Sequence, residues 1–287
     1  MAENGVKEPV IGVALDGTGY GTDGKIWGCE FLISGIDGFE RAGHLRYVPL
    51  PGGDAAIRHP YRVALSHMYS AGKSDVDCLA AGLFPDIRAE ERDLVVQQIE
   101  KGVNCIDTSS AGRLFDAVSA ILGVCHEISY EAQAAIELES CAARAAPHVQ
   151  GRTFDYDITE ANGRLLVDPS PIVIGVLSAA TRGEPVPLIA ATFHETVVGF
   201  CRDVCGRLRG STGLNRVALS GGVFQNRYLL ARLSEELSGD GFEVLVNRQV
   251  PANDGGVSLG QAVVASELTL GAQRRDGRTA PPSEEAK

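Results

Sequence analysis

No apolar run in the 287 residues approaches the roughly 20 that a membrane-crossing helix needs. The opening residues, MAENGVKEP, are polar and no signal-peptide core follows them, so neither a membrane span nor a secretory leader is expected. None of the seven cysteines stands in CxxC spacing. An odd, dispersed count suits reduced thiols in a cytosolic protein. Basic clusters long enough for a nucleic-acid footprint are also missing. With 26 basic against 37 acidic residues the net charge is -11, which favours solubility and names no partner. There is no P-loop lysine and no GxGxxG leading straight into a helix. What remains is 44% apolar and carries 34 glycines, a composition for a globular, loop-rich chain of one large domain or two small ones.

The stretch from Val10 to Gly24, VIGVALDGTGYGTDG, draws the eye first. The apolar run to Leu15 predicts a buried strand that stops at Asp16. Gly17, Gly19, Gly21 and Gly24 then allow positive φ and close approach to the backbone. Two readings are open. The amides form an anion nest for phosphate, with Thr18 or Thr22 adding a hydroxyl, or the glycines simply make a hairpin connection. Lys25 to Ile33 predicts a second strand paired with the first. Within it Glu30 either faces a ligand or lies at a strand edge in water.

Further along, Phe39 to Val48 reads as a strand. Asp54 is a candidate cap, and Pro60 begins a helix anew. Arg58 and Arg62, four apart, share a helix face. Residues of about 55–148 read as a mainly helical segment. Inside it the polar cluster at 107–110 caps a helix from about Ala111, which sets Arg113 and Asp116 in its first turns. Asn162-Gly163 predicts a tight hairpin. His194, Cys201 and Cys205 fall on one long helix, where buried packing competes with a zinc site. The strand Arg216–Leu219 enters the turn Ser220-Gly-Gly-Val-Phe-Gln-Asn226, and a helix follows whose N-terminus favours anions. A third loop, 251–256, carries Asp254. Three loops after strands predict an α/β domain with its ligand held at strand ends. Residues 1–9 are expected as a flexible arm and 271–287 as a disordered tail.

Several long motifs occur in one order: ALDGTGYGTDGKIWGCEFL, PLPGGDAAIRHPYR, TSSAGRLFDAVSAILG, FH at 193–194, LSGGVFQNRYLL and NDGGVSLGQ. Together they resemble the HypF-type carbamoyltransferase of hydrogenase maturation, over almost all of 10–270. The match is to the domain similar to the tRNA threonylcarbamoyladenosine synthesis enzyme. The resemblance implies one lobe, with helical insertions, of the sugar kinase, Hsp70 and actin type of fold, the first lobe being absent from this sequence.

The same resemblance implies ATP and carbamoyl adenylate as ligands, and a HypE-like acceptor whose C-terminal cysteine receives the carbamoyl group. The composition, by contrast, is what leads to the expectation of no nucleic-acid and no membrane partner. Asp16, Gly17, Thr18, Gly19 and Gly21 match the family's phosphate-side loop, and Gly112, Arg113 and Asp116 its nucleoside-side segment. Ser220, Gly221, Gly222 and Asn226 match its nucleotide turn, and Asp254 a catalytic metal ligand. The family's metal, iron or zinc, also uses a histidine motif that lies before the DGTGYG run. None of His44, His59, His67, His126, His148 or His194 has that spacing, so metal binding is expected to be weak or absent in this chain alone. Activity is then expected to need a separate polypeptide with the upstream domains. An O-carbamoyltransferase of natural-product synthesis and an inactive nucleotide-binding remnant are the alternatives. Two departures stand out: Cys29 replaces a glycine of the usual WGGEFL run, and His59 stands where an acidic residue is usual.

Overall fold

The computed structural model describes residues 1–72, 82–145, 149 and 151–275, with side chains to 269. Residues 73–81 and 146–148 of the expected helical segment, His148 among them, and the tail beyond 275 lie outside the described residues. Strands β1 (Val10–Tyr20), β2 (Ile26–Ser34) and β3 (Phe39–Leu45) make an antiparallel meander. Two short strands, β4 (Val48–Pro51) and β5 (Cys105–Thr108), pair beside it. β6 (Asp157–Ala161) and β7 (Arg164–Asp168) form a hairpin on the β3 edge. On the other edge β8 (Arg216–Ser220) runs parallel to β1, and β9 (Glu243–Leu245) parallel to β8. The main sheet order is thus β6-β7-β3-β2-β1-β8-β9.

The helices are α1 (Asp54–Arg58), α2 (Pro60–Ser70), α3 (Ala89–Lys101), α4 (Ala111–Ile121), α5 (Gln133–Ala143), α6 (Ser170–Thr181), α7 (Val186–Thr212), α8 (Arg227–Gly239) and α9 (Val257–Arg275). Local chemistry sets their ends. Pro60 occupies the first turn of α2, as its sequence predicts. Gly102 and Gly213, in the left-handed region at φ 62° and 73°, stop α3 and α7. Ile11, Val13 and Leu15 point from β1 into one core with Phe31, Phe115, Phe193 and Phe200. The rings of Phe115 and Phe193 meet edge to face at 4.9 Å. Asn162 and Gly163 both adopt positive φ, as a primed two-residue hairpin demands.

Four expectations change. β1 does not stop at Asp16 but continues to Tyr20, because its glycine-rich half pairs with β2. The helical segment is broken by β5, a four-residue strand whose polar Asp107 and Thr108 resemble a cap more than a strand. The first residues are no free arm. Glu3 accepts hydrogen bonds from the amides of Arg248 and Gln249, each at 2.7 Å, and Val6 packs with Val10 and Leu245. At the other end α9 runs to Arg275, into the stretch read as tail.

The long helix α7 buries the histidine and both cysteines. Burial drives the Cys201 thiol well above the usual range and pushes Cys205 up to about 12, so both stay protonated packing groups. His194 is held neutral: Nδ1–H donates to Ala190 O at 2.7 Å, while Nε2 accepts from the Asn226 amide at 3.0 Å. Protonating that ring would set two donors against each other. Desolvation depresses His194 and His67 to about 4 each. Below the ordinary histidine value of 6.5 the unfolded chain therefore takes up protons that the folded chain refuses, and stability falls as pH drops through this window. A loss of about 2 kcal/mol per histidine between pH 7 and 5 is expected in urea unfolding. In Asn226→Asp the His194 share should shrink, since a carboxylate accepts from a protonated ring. A pH-independent unfolding midpoint would contradict the neutral assignment.

Candidate active site

The expected phosphate loop is a bulge in a strand. Leu15 pairs with Cys29, and the next register pair is Gly19 with Trp27. Asp16, Gly17 and Thr18 therefore stand opposite the single residue Gly28, which bows the β1 backbone out of the sheet. Three glycines leave room for it. A Cβ on Gly28 would lie 2.4 Å from Asp16 O, one on Gly112 2.8 Å from Gly17 Cα, and one on Gly221 2.1 Å from Leu15 O. Each distance is to backbone, which has nowhere to retreat. Gly221 also needs its φ of 105°.

The N-terminus of α4 closes on the bulge. Ser110 caps the helix by accepting from Arg113 N at 3.1 Å. Its hydroxyl lies 2.8 Å from Asp16 O and 2.6 Å from Gly17 O, sharing one proton between them. Arg113 Nη2 sits 3.5 Å from where a Gly17 Cβ would be, and it pairs with Asp116 at 2.9 Å, both side chains being buried. Burial pushes the Asp116 carboxyl up to about 6 despite the opposing guanidinium. Nε and Nη1 of Arg113 have no hydrogen-bond partner among the described residues.

On the far side, Gly221 N donates to Ala252 O at 2.9 Å, fastening the turn after β8 to the loop that carries Asp254. A Cβ on Gly222 would lie 3.1 Å from Asp16 Oδ1 and 3.8 Å from Asn253 Cβ. Asp16, Gly222 and the residue before Asp254 thus adjoin. Asp254 itself is exposed at the start of a short 3-10 turn that Asn253 caps through Gly255 N.

The structure brings together Asp16, Gly17, Thr18, Gly112, Arg113, Asp116, Gly221 and Gly222, with Ser220 and Asp254 at their edges. It sets others apart. Gly19 backs onto Trp27, and Gly21 lies in the β1–β2 hairpin under the Trp27 indole. Asn226 spends its side chain within the protein, accepting from Leu229 N at 2.9 Å to cap α8 and donating to His194. Four contributors escaped the sequence reading as site residues: Gly28, Ser109, Ser110 and Arg41. Gly28 and Glu30, spaced two apart in one strand and so on one face, carried the available signal.

The donor set does not fit the iron or zinc that the resemblance implies. Asp16 and Asp254 supply only carboxylate oxygen. Among the described residues no group of three or more His, Cys, Asp or Glu is placed to hold an ion, and imidazole or thiolate suits those metals better.

Substitutions separate tight glycines from free ones. Gly28→Ala and Gly112→Ala should each destabilise by about 1–3 kcal/mol in urea unfolding, because the new methyl meets backbone. Gly206→Ala, in α7 with nothing within 4 Å of the added carbon, should be neutral or stabilising by up to about 1 kcal/mol. Equal effects at all three would contradict the close-fitting seat.

Residues 12–261 match the family model described as carbamoyltransferase, Kae1-like domain, second subdomain. The chain is 41% identical over 255 residues to carbamoyltransferase HypF of Rhodobacter capsulatus, covering 88% of this chain and 32% of that relative. A HypF homolog of Cupriavidus necator is 38% identical over 277 residues, covering 93% of this chain and 67% of the relative. A crystal structure of full-length HypF in the phosphate- and nucleotide-bound form superposes with a TM-score of 0.86 at 44% identity, covering 93% of this chain and 34% of that one. The chain therefore spans about a third of the length of full-length relatives. The fold is the α/β lobe that the motifs imply, and the chain belongs to the HypF-type carbamoyltransferase family, in the second subdomain of its Kae1-like domain.

Proposed function

We propose that this chain forms the nucleotide-side wall of a site that moves a carbamoyl group from carbamoyl adenylate to the C-terminal cysteine of a HypE-like acceptor. The observation that carries the reading is the convergence of the β1 bulge, the α4 N-terminus and the turn after β8 on one place. A relative of the same fold has a structure in a phosphate- and nucleotide-bound form. Helix N-termini and bowed, glycine-lined backbone suit phosphate oxygens. In the transfer, the acceptor thiolate attacks the carbamoyl carbon, the bond from that carbon to the phosphate oxygen breaks, and AMP leaves with the electron pair. The role of this wall is to hold the leaving phosphate and orient the donor. No step is assigned to a metal.

The remaining wall is supplied by the upstream domains of the family. Helix α9 supports this. Between 257 and 269 it carries one charged residue, Glu267, which pairs with Lys7 at 2.9 Å. Val257 and Leu268 are 51% and 58% exposed, and Leu259 and Val264 are exposed too. Apolar side chains exposed together on one helix mark a contact surface. It emerges directly from the Asp254 loop, so a partner seated on it would lie beside the candidate site.

Two measurements test the reading. ATP binding followed by calorimetry should be weak with this chain alone and should be lost in Gly222→Leu, whose side chain drives into the Asp16 carboxylate. Unchanged affinity in that variant would put the nucleotide elsewhere. Mass spectrometry of the acceptor, incubated with carbamoyl phosphate and ATP, should show a carbamoylated cysteine only when residues 1–287 and the upstream domains of the family are both present. The product should also disappear with Gly222→Leu, which blocks the nucleotide wall. Product from this chain alone would overturn the shared-site reading, and its absence in every mixture would favour a nucleotide-binding protein without turnover.

A further inference from the structure

We infer that Glu30 is a positioning residue for the phosphate-side bulge, acting through both of the walls that hold it; this rests on the nucleotide reading above. Its carboxylate is 3% exposed, in a strand whose neighbouring Cys29 and Phe31 point into the core on the opposite face. A carboxylate so placed needs every lone pair answered. Oε1 accepts from Gly28 N at 3.2 Å and from the Ser109 hydroxyl. Oε2 accepts from Arg41 Nε at 2.6 Å.

Those partners are the bulge's own supports. Gly28 is the residue opposite Asp16, Gly17 and Thr18. Ser109 precedes Ser110, whose hydroxyl reaches the carbonyls of Asp16 and Gly17 and caps α4. One buried carboxylate therefore links the β2 wall of the bulge to its α4 wall. Arg41, 5% exposed, completes the brace. Its Nη2 donates to Ser109 Oγ at 3.3 Å, its Nη1 donates to the Tyr47 hydroxyl at 2.7 Å, and its guanidinium carbon stacks 3.9 Å from the Trp27 ring centroid. Tyr47 in turn donates to Asp23 at 2.6 Å in the hairpin turn. Among the described residues no hydrogen bond joins Glu30 or Arg41 to Asp16, Gly17 or Thr18, so Glu30 acts by fixing the gap into which the bulge fits.

Glu30→Gln keeps the shape but sets an amide N–H against either Arg41 Nε or the Ser109 and Gly28 donors. A merely structural glutamate would lose stability alone; a positioning one also loosens the site. The control is Leu237→Ala, a core truncation in the last turns of α8 that costs about 2–5 kcal/mol without touching the brace. NMR hydrogen exchange at the Gly17 and Gly28 amides, at a temperature where all variants are folded, should accelerate about tenfold or more in Glu30→Gln and stay near wild type in Leu237→Ala. ATP titration of the same samples should show about tenfold weaker binding in Glu30→Gln only. Glu30→Asp and Arg41→Lys, the second of which keeps charge but loses the fork, should fall between and serve if Glu30→Gln fails to fold. Exchange and affinity in the Glu30 variants that match the Leu237→Ala control would overturn the inference. If wild type binds no ATP, the nucleotide reading falls, while exchange at Gly17 and Gly28 still decides whether Glu30 sets the bulge.

Discussion

The absence of three Cβ atoms governs the site. Leu15, Asp16 and Gly17 pass between Gly28, Gly112 and Gly221, and a methyl on any of these would lie 2.1 to 2.8 Å from backbone atoms of that segment. The three glycines come from β2, α4 and the turn after β8, regions distant in sequence. Their close approach makes the bulge a place where a strand, a helix N-terminus and a tight turn meet within contact distance. Ligand-facing surface made this way is mostly backbone, so its shape depends on packing around it more than on the side chains that line it.

Polar groups then fix that shape from behind, at the cost of burying charge. Glu30 with Arg41 and Arg113 with Asp116 are buried ion pairs on two sides of the bulge, and they differ in kind. The first is fully answered, each carboxylate oxygen having a donor. The second leaves Nε and Nη1 of Arg113 without partners among the described residues, and burial outweighs the guanidinium in setting the Asp116 proton affinity. A completed pair rigidifies, whereas an incomplete one keeps the desolvation penalty of its unanswered donors. On the third side His194 does the analogous work as a neutral ring, orienting the Asn226 amide that caps α8 below the glycine turn.

Much of the architecture was legible because it rests on local rules. The apolar run before Asp16, the Asn162-Gly163 hairpin, Pro60 at a helix start and the capping Ser110 before Ala111 each appear where their chemistry requires. The bulge was not legible, since glycines after a strand satisfy a loop and an irregular strand equally, and only the partner strand decides. Gly19 and Gly21 look like ligand glycines by spacing but lie against Trp27 in the hairpin. Asn226 resembles a ligand residue in a glycine turn, and its amide is engaged within the protein by the α8 cap and by His194. Glu30 sat between two readings, ligand-facing or solvent-edge, and fits neither, because its partners Arg41 and Ser109 lie 11 and 79 residues away.

The same geometry accounts for the departure at Cys29. In the WGGEFL run of the family the two glycines look equivalent, but alternation along β2 sends them to opposite faces. Gly28 faces the bulge, where a Cβ would strike Asp16 O. Cys29 faces the core, fully buried opposite Leu15, where a small apolar side chain fills space. The replacement therefore falls at the glycine whose missing side chain the site does not use. His59 allows a similar judgement. It occupies the joint between α1 and α2, its ring 6.0 Å from Tyr61, and no described hydrogen bond links its side chain to the bulge or to either glycine turn. What separates a tolerated change from a damaging one in this wall is the face of the strand on which it falls, so position 28 should resist any side chain while position 29 accepts small ones.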